Sequence, residues 1–177
     1  MFSLNVPVPR EVDRFSNEIH PQLAPFDRIR DRHSLCLKRF GADDVNGPGG
    51  PTPEKERALA ELRERLRPLL AGTGPFDVRL PEVDYFENPT TGTAPVVYLA
   101  VESDVLVRLH RRLCAAFDPI EGLEGDDYTP HVTLARGGDV EDAEALAAMD
   151  FDPIEWRVHE LEIFDPDFRE PAASLDL

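Results

Sequence analysis

One pattern occurs twice in this chain: a β-prone run, an amphipathic helix, and a second β-prone run that opens on a histidine. Leu4 and Val6 alternate in the first run, ahead of a helix opened by Pro9 with Val12, Phe15 and Ile19 on one face; His33 heads the strand that follows. Leu99 and Val101 precede a helix capped by Ser103, whose apolar face is Val105, Leu106, Leu109, Leu113 and Phe117; His131 heads the next strand. Units of similar length predict two pseudo-symmetric lobes, each giving one histidine to a central cleft.

The other elements follow from local signals. Gly41 to Pro51 is rich in Gly, Asp, Asn and Pro and is expected to be an exposed loop. Thr52-Pro53-Glu54 starts a helix carrying Leu59, Leu62, Leu66, Leu69 and Leu70, which Gly72-Thr73-Gly74-Pro75 ends. Strands are expected near 76–87 and 95–102, a helix near 141–149 and a strand or bent pair over 154–164. The tail after Pro166 is expected to drape over the surface. The 177 residues suit one domain, 1–177, able to bury its own core. No apolar run approaches the roughly 20 residues of a membrane span, and the N-terminus reads as a strand rather than a leader, so a cytoplasmic location is expected.

Charge narrows the function classes. The formal net charge is −16, from 35 acids against 19 bases, and only Lys38 and Lys55 are lysines. Acid excess with so little lysine predicts a surface suited to molar salt, where self-repulsion is screened over about 3 Å. Duplex DNA is an unsuitable partner, since sequence-independent binding needs a basic surface. A small nucleotide or an RNA end in a local pocket remains compatible.

The chemistry concentrates in Tyr128-Thr129-Pro130-His131-Val132-Thr133-Leu134. Strand alternation puts His131 and Thr133 on one face, about 7 Å apart, offering an acid/base and a hydroxyl to one anionic group. His33 lies in Arg32-His33-Ser34-Leu35-Cys36-Leu37-Lys38, another β-prone run. Two histidines facing one phosphodiester could act as general base and general acid without a metal. Pro130-His131-Val132-Thr133-Leu134-Ala135-Arg136, with a partner histidine 98 residues upstream, resembles the two-histidine (2H) phosphoesterase superfamily, in its 2′-5′ RNA ligase and RNA 2′,3′-cyclic phosphodiesterase branch. The resemblance implies an α+β, bilobal fold, with an antiparallel sheet in each lobe, helices outside and a cleft between. It also implies opening of RNA 2′,3′-cyclic phosphate ends to 2′-phosphates, with 2′-5′ RNA ligation as the reverse-type step. No cofactor or metal is implied.

The first motif departs from the pattern. With His33 as the catalytic histidine, Leu35 occupies the hydroxyl position unless a β-bulge re-aims Ser34 or Cys36. Counting back from Gly41 instead puts Ser34 at the histidine position and Cys36 at the hydroxyl position. The expected site is therefore His33 and His131 as catalytic residues, with Thr133 and Ser34 on the substrate. The expected partners are RNA ends or cyclic nucleotides, taken by a monomer. Two other readings stand beside it: a degenerate domain that binds RNA ends or nucleotides without turnover, and a histidine metal site. The metal reading lacks a carboxylate or cysteine at ligand spacing from either histidine. Lys38 and Arg136, each five residues after a histidine, should face away from the cleft and serve as solvated or ion-pairing residues. Tyr128 reads as packing and Cys36 and Cys114 as buried small hydrophobes. His20, His110 and His159 carry no expected function, with His110 exposed among arginines. The acidic runs at 124–127 and 141–142 read as solvated surface rather than cation sites.

Overall fold

A computed structural model of the chain describes residues 2–41, 43–44 and 54–177. The first repeat unit is β1 (Phe2–Val6), α1 (Arg10–Glu18), the short α2 (His20–Leu23), β2 (Arg28–Ile29) and β3 (Leu35–Phe40). After α3 (Lys55–Leu70) come β4 (Phe76–Leu80) and β5 (Val83–Phe86). The second unit is β6 (Val96–Ala100), α4 (Asp104–Cys114) and β7 (His131–Arg136), followed by α5 (Val140–Ala147), β8 (Ile154–Val158), β9 (Glu160–Asp165) and β10 (Glu170–Asp176). The expected loop from Gly41 to Pro51 and the Thr52-Pro53 helix start lie largely outside the described residues.

The fold is α+β with antiparallel sheets. An eight-stranded sheet runs β10-β9-β1-β3-β7-β6-β5, with β2 also paired to β7, and a separate ribbon joins β4 to β8. Both repeat units close as antiparallel pairs, β1 with β3 and β6 with β7. Rather than forming separate sheets, they share one, and β3 meets β7 through a single register pair, Leu35 opposite Val132. Apolar residues of both halves form one contiguous core, with Val12 and Phe15 from α1, Leu62 and Leu66 from α3, and Leu106 and Leu109 from α4. Ser103 caps α4 by accepting the Leu106 N–H at 3.4 Å. The tail is not draped. Residues 170–176 complete a hairpin with β9, aligning Leu175 with Leu161.

Both central strands carry a bulge at the same place. On β3 the register steps from Cys36 to Lys38, leaving Leu37 unpaired; on β7 it steps from Thr133 to Ala135, leaving Leu134 unpaired. Two successive side chains then turn inward, Leu37 with Lys38 and Leu134 with Ala135, all fully buried. Each bulge frees a carbonyl, and each is recaptured: Leu37 O accepts from His110 Nδ1 at 2.7 Å, and Leu134 O from the Arg30 N–H at 2.8 Å.

The bulge corrects the expectation for Lys38, which is fully buried instead of solvated. Its ammonium donates to Glu124 Oε2 at 2.7 Å and to the carbonyls of Arg39 and Asp118. Glu124 also accepts the backbone N–H groups of Arg39 and Ile120. A buried ion pair needs such saturation to offset its desolvation. Here it ties the acidic loop ahead of β7 onto β3. Glu124 thus belongs to the core, not to solvated surface.

Candidate active site

The Leu35–Val132 pairing decides what shares a face. With these two residues in the core, alternation sends Ser34 and Cys36 from the first strand, and His131 and Thr133 from the second, to the opposite face. Antiparallel register sets Ser34 across from Thr133 and Cys36 across from His131. A cleft of about 180 Å³ opens there, lined by all four, with Arg30, Arg32, Arg39, Arg136, Tyr128 and Thr129 among its walls.

His131 is half-buried and its tautomer is set by the backbone. Nδ1 lies 2.7 Å from the Thr129 carbonyl, which can only accept, so Nδ1 donates and Nε2 keeps its lone pair. Phe86 meets the ring edge-on at 5.3 Å, and Tyr98, stacked on Phe86, lies equally close. Burial lowers the imidazole pKa; Arg39 and Arg136 push it further down, against the pull of the Thr129 hydrogen bond. At neutral pH His131 is therefore an uncharged base.

Four arginines surround that base. Strand alternation alone would turn Arg39 and Arg136 away, but the two bulges return both to the cleft face. Arg136 is held by Thr91, whose carbonyl accepts from Nη1 at 3.0 Å, and a Cβ at Gly92 would fall 2.7 Å from the same nitrogen. Among the described residues, no carboxylate lies within 4.0 Å of the guanidinium groups of Arg30, Arg32, Arg39 or Arg136. Burial and the nearby Arg30 and Arg39 cations lower the Arg136 pKa. In a chain with 35 acids, a cleft lined by four arginines and no acid is built for an anion.

A buried network fixes these groups. His110 is fully buried in place of the expected exposure. It donates from Nδ1 to Leu37 O, and its Nε2 accepts the Gly125 N–H at 2.9 Å. Burial lowers its pKa, in keeping with an acceptor that must stay unprotonated. Tyr128 stacks on it at 3.7 Å and donates its hydroxyl to Cys36 O at 2.9 Å. This clamp sets the chain just before the Thr129 carbonyl that orients His131. Cys36 is half-buried on the cleft face, and burial raises its thiol pKa, so it is no ready nucleophile.

His33 sits elsewhere. It precedes β3, its side chain is 3% exposed, and Nδ1 pairs with Asp13 Oδ1 at 2.8 Å. It lines a neighbouring hollow rather than the His131 cleft. The bulge on β3 falls after Cys36 and is matched on β7, so it does not absorb the extra residue between His33 and the strand. Aligning the two strands bulge to bulge matches Arg39 with Arg136, Cys36 with Thr133 and Ser34 with His131. Of the four expected site residues, the structure brings together His131, Thr133 and Ser34. Sequence reasoning missed Arg30, Arg32 and Arg39; the alternating arginines of Arg28-Ile29-Arg30-Asp31-Arg32 were the available signal. Among the described residues no group of three His, Cys, Asp or Glu side chains is placed to hold a metal ion. No helix there is long and apolar enough to cross a membrane.

Comparison with known proteins follows the same lines. The 2′-5′ RNA ligase superfamily matches residues 47–167, a stretch that includes His131 and Thr133 and begins after β3. No curated protein matches the chain. Among solved structures, TT0787 of Thermus thermophilus is 23% identical, with 99% of this chain and 94% of that chain covered and a TM-score of 0.58. A protein described as a phosphoesterase is 18% identical, covering 99% and 97%, at a TM-score of 0.56. E. coli LigT complexed with 3′-AMP is 14% identical, covering 99% and 94%, at 0.54. At these identities the likeness is one of fold.

Proposed function

Because the chain belongs to the 2′-5′ RNA ligase superfamily, we propose that its cleft takes RNA 2′,3′-cyclic phosphate ends or cyclic nucleotides and opens them to 2′-phosphates, with His131 as the single cleft imidazole. The observation that carries this reading is the fixed tautomer of His131 inside a cleft of four arginines unpaired with carboxylates. The 3′-AMP in E. coli LigT is a ligand of the same chemical kind.

In this reading the phosphate sits against the arginines and the Thr133 hydroxyl, which stabilise charge growing on its non-bridging oxygens. His131 Nε2 takes a proton from water, whose oxygen attacks phosphorus as the bond to the ribose 3′ oxygen breaks. That oxygen leaves opposite the attacking water, beyond reach of the same imidazole, and takes its proton from solvent. A second positioned acid is worth about 10²–10⁴-fold, so turnover is slow for the fold.

Ser34 in the place that strand symmetry gives to a second histidine favours one alternative, capture of RNA ends without turnover. A single experiment separates the two: hydrolysis of a cyclic-phosphate-ended oligoribonucleotide in EDTA, by wild type and His131→Ala. A 2′-phosphate product that disappears with His131 supports the enzyme. Tight binding with no product supports the binder, and neither binding nor product overturns both.

A further inference from the structure

Beside the cleft lies a larger hollow of about 560 Å³, and the two share Arg30, Arg32 and Ser34 as a common wall. Its far side is Phe164 of β9, with Pro7, Pro166 and Pro171, an apolar surface next to a cationic edge. Strand alternation turns Glu162 and Phe164 the same way, while Leu161 and Ile163 go into the core.

Three acids also line the hollow, Asp13, Asp31 and Glu162, and the first two are held by neighbouring side chains. Asp13 pairs with His33 at 2.8 Å, and Asp31 accepts from Arg169 at 3.4 Å. Burial, with Glu160 nearby, raises the Glu162 pKa. Among the described residues the guanidinium groups of Arg30 and Arg32 have no carboxylate partner, although Arg32 donates from Nη1 to the Arg169 carbonyl at 2.8 Å. Two unpaired cations thus stand between a phosphate-sized cleft and a hollow with room and apolar wall for a nucleoside.

We propose that this hollow is a second nucleotide subsite, taking the nucleotide that precedes the RNA end, with its phosphate on Arg30 and Arg32 and its nucleoside against Phe164. The substrate is then an oligonucleotide end in preference to a cyclic mononucleotide. This rests on the reading of the cleft given above and adds a length requirement to it. It also gives His33 a place in the molecule, since its Nδ1 hydrogen bond holds the Asp13 carboxylate at the wall of the subsite.

The test compares binding of adenosine 2′,3′-cyclic phosphate with that of the ApA dinucleotide ending in a 2′,3′-cyclic phosphate, by calorimetry over a range of KCl. The dinucleotide is expected to bind at least tenfold tighter, with a slope of log K against log salt steeper by about 0.7 for its extra phosphate. Phe164→Ala should abolish the advantage and leave the mononucleotide unchanged. Arg169→Asn, a side chain that tolerates the positive φ of 56° at that position, should reduce it and provides a second probe should Phe164→Ala fold poorly. Equal affinities, or an advantage that survives both variants, overturn the subsite while leaving the cleft reading intact. Failure of both ligands to bind overturns the two together.

Discussion

Ser34, just ahead of β3, and His131, the first residue of β7, stand at equivalent distances from bulges that match, with Arg39 on one strand equivalent to Arg136 on the other. The cleft therefore has one imidazole where its own symmetry provides for two. Serine cannot donate a proton to a leaving alkoxide near neutral pH, so the deficit is chemical rather than geometric.

Ser34→His is accordingly expected to raise kcat for cyclic phosphate opening by about 10²–10⁴-fold, with a smaller change in KM. His33→Ala should leave kcat nearly unaltered, because His33 lies outside the cleft with its Nδ1 on Asp13. Steady-state kinetics on both variants checks this. A large kcat loss in His33→Ala would return His33 to the chemistry.

The pH profile should rise on its acid side at a value below the ordinary imidazole pKa of about 6.5. His131 must be unprotonated to accept a proton, and burial moves its pKa down. Activity is thus expected to be at its plateau by neutral pH and to fall as pH drops through the shifted value. Stability shifts the same way. For His110 and His131 the folded pKa lies below the unfolded one, so the unfolded chain binds more protons in that window. Stability is full above about 6.5 and declines as pH falls toward the folded values. A kcat/KM profile and thermal melts from pH 4 to 8 measure both.

Lys38→Met should destabilise the protein by about 3–5 kcal/mol, since it leaves the Glu124 carboxylate buried without its cation. The double variant Lys38→Met/Glu124→Leu should recover part of that loss. Urea unfolding of the three proteins measures the difference; a double variant as unstable as the single one would mean that the backbone bonds to Glu124 matter more than the charge pair.

Added KCl should raise the unfolding midpoint. With a net charge of −16, self-repulsion opposes the compact state, and salt screens it. The cleft should respond in the opposite sense, since its arginines attract phosphate through the same screened field. Melting and nucleotide binding, followed from 0.1 to 2 M KCl, should diverge.

Much of this molecule is legible locally. The alternation of Leu4 and Val6, the helical spacing of Leu106, Leu109 and Leu113, and the Ser103 cap each depend on near neighbours, and each forms as expected. The placing of His131 and Thr133 on one face follows from the same rule. What local periodicity could not carry is anything that depends on a partner distant in sequence. The bulges at Leu37 and Leu134 exist because a neighbouring strand and a captured carbonyl stabilise them. One unpaired residue in each strand is enough to bury Lys38 and bring Arg39 and Arg136 to the cleft. His110 reads as a surface histidine until Leu37 O and Gly125 N saturate it. The choice between His33 and Ser34 was likewise a question of register, and register is set by the contact of Leu35 with Val132 across the middle of the sheet. The sequence by itself determined the elements and the placing of His131 and Thr133 on one face of β7. Only the tertiary structure decided which side chains of β3 stand opposite that pair, because a one-residue step in a strand exchanges its two faces.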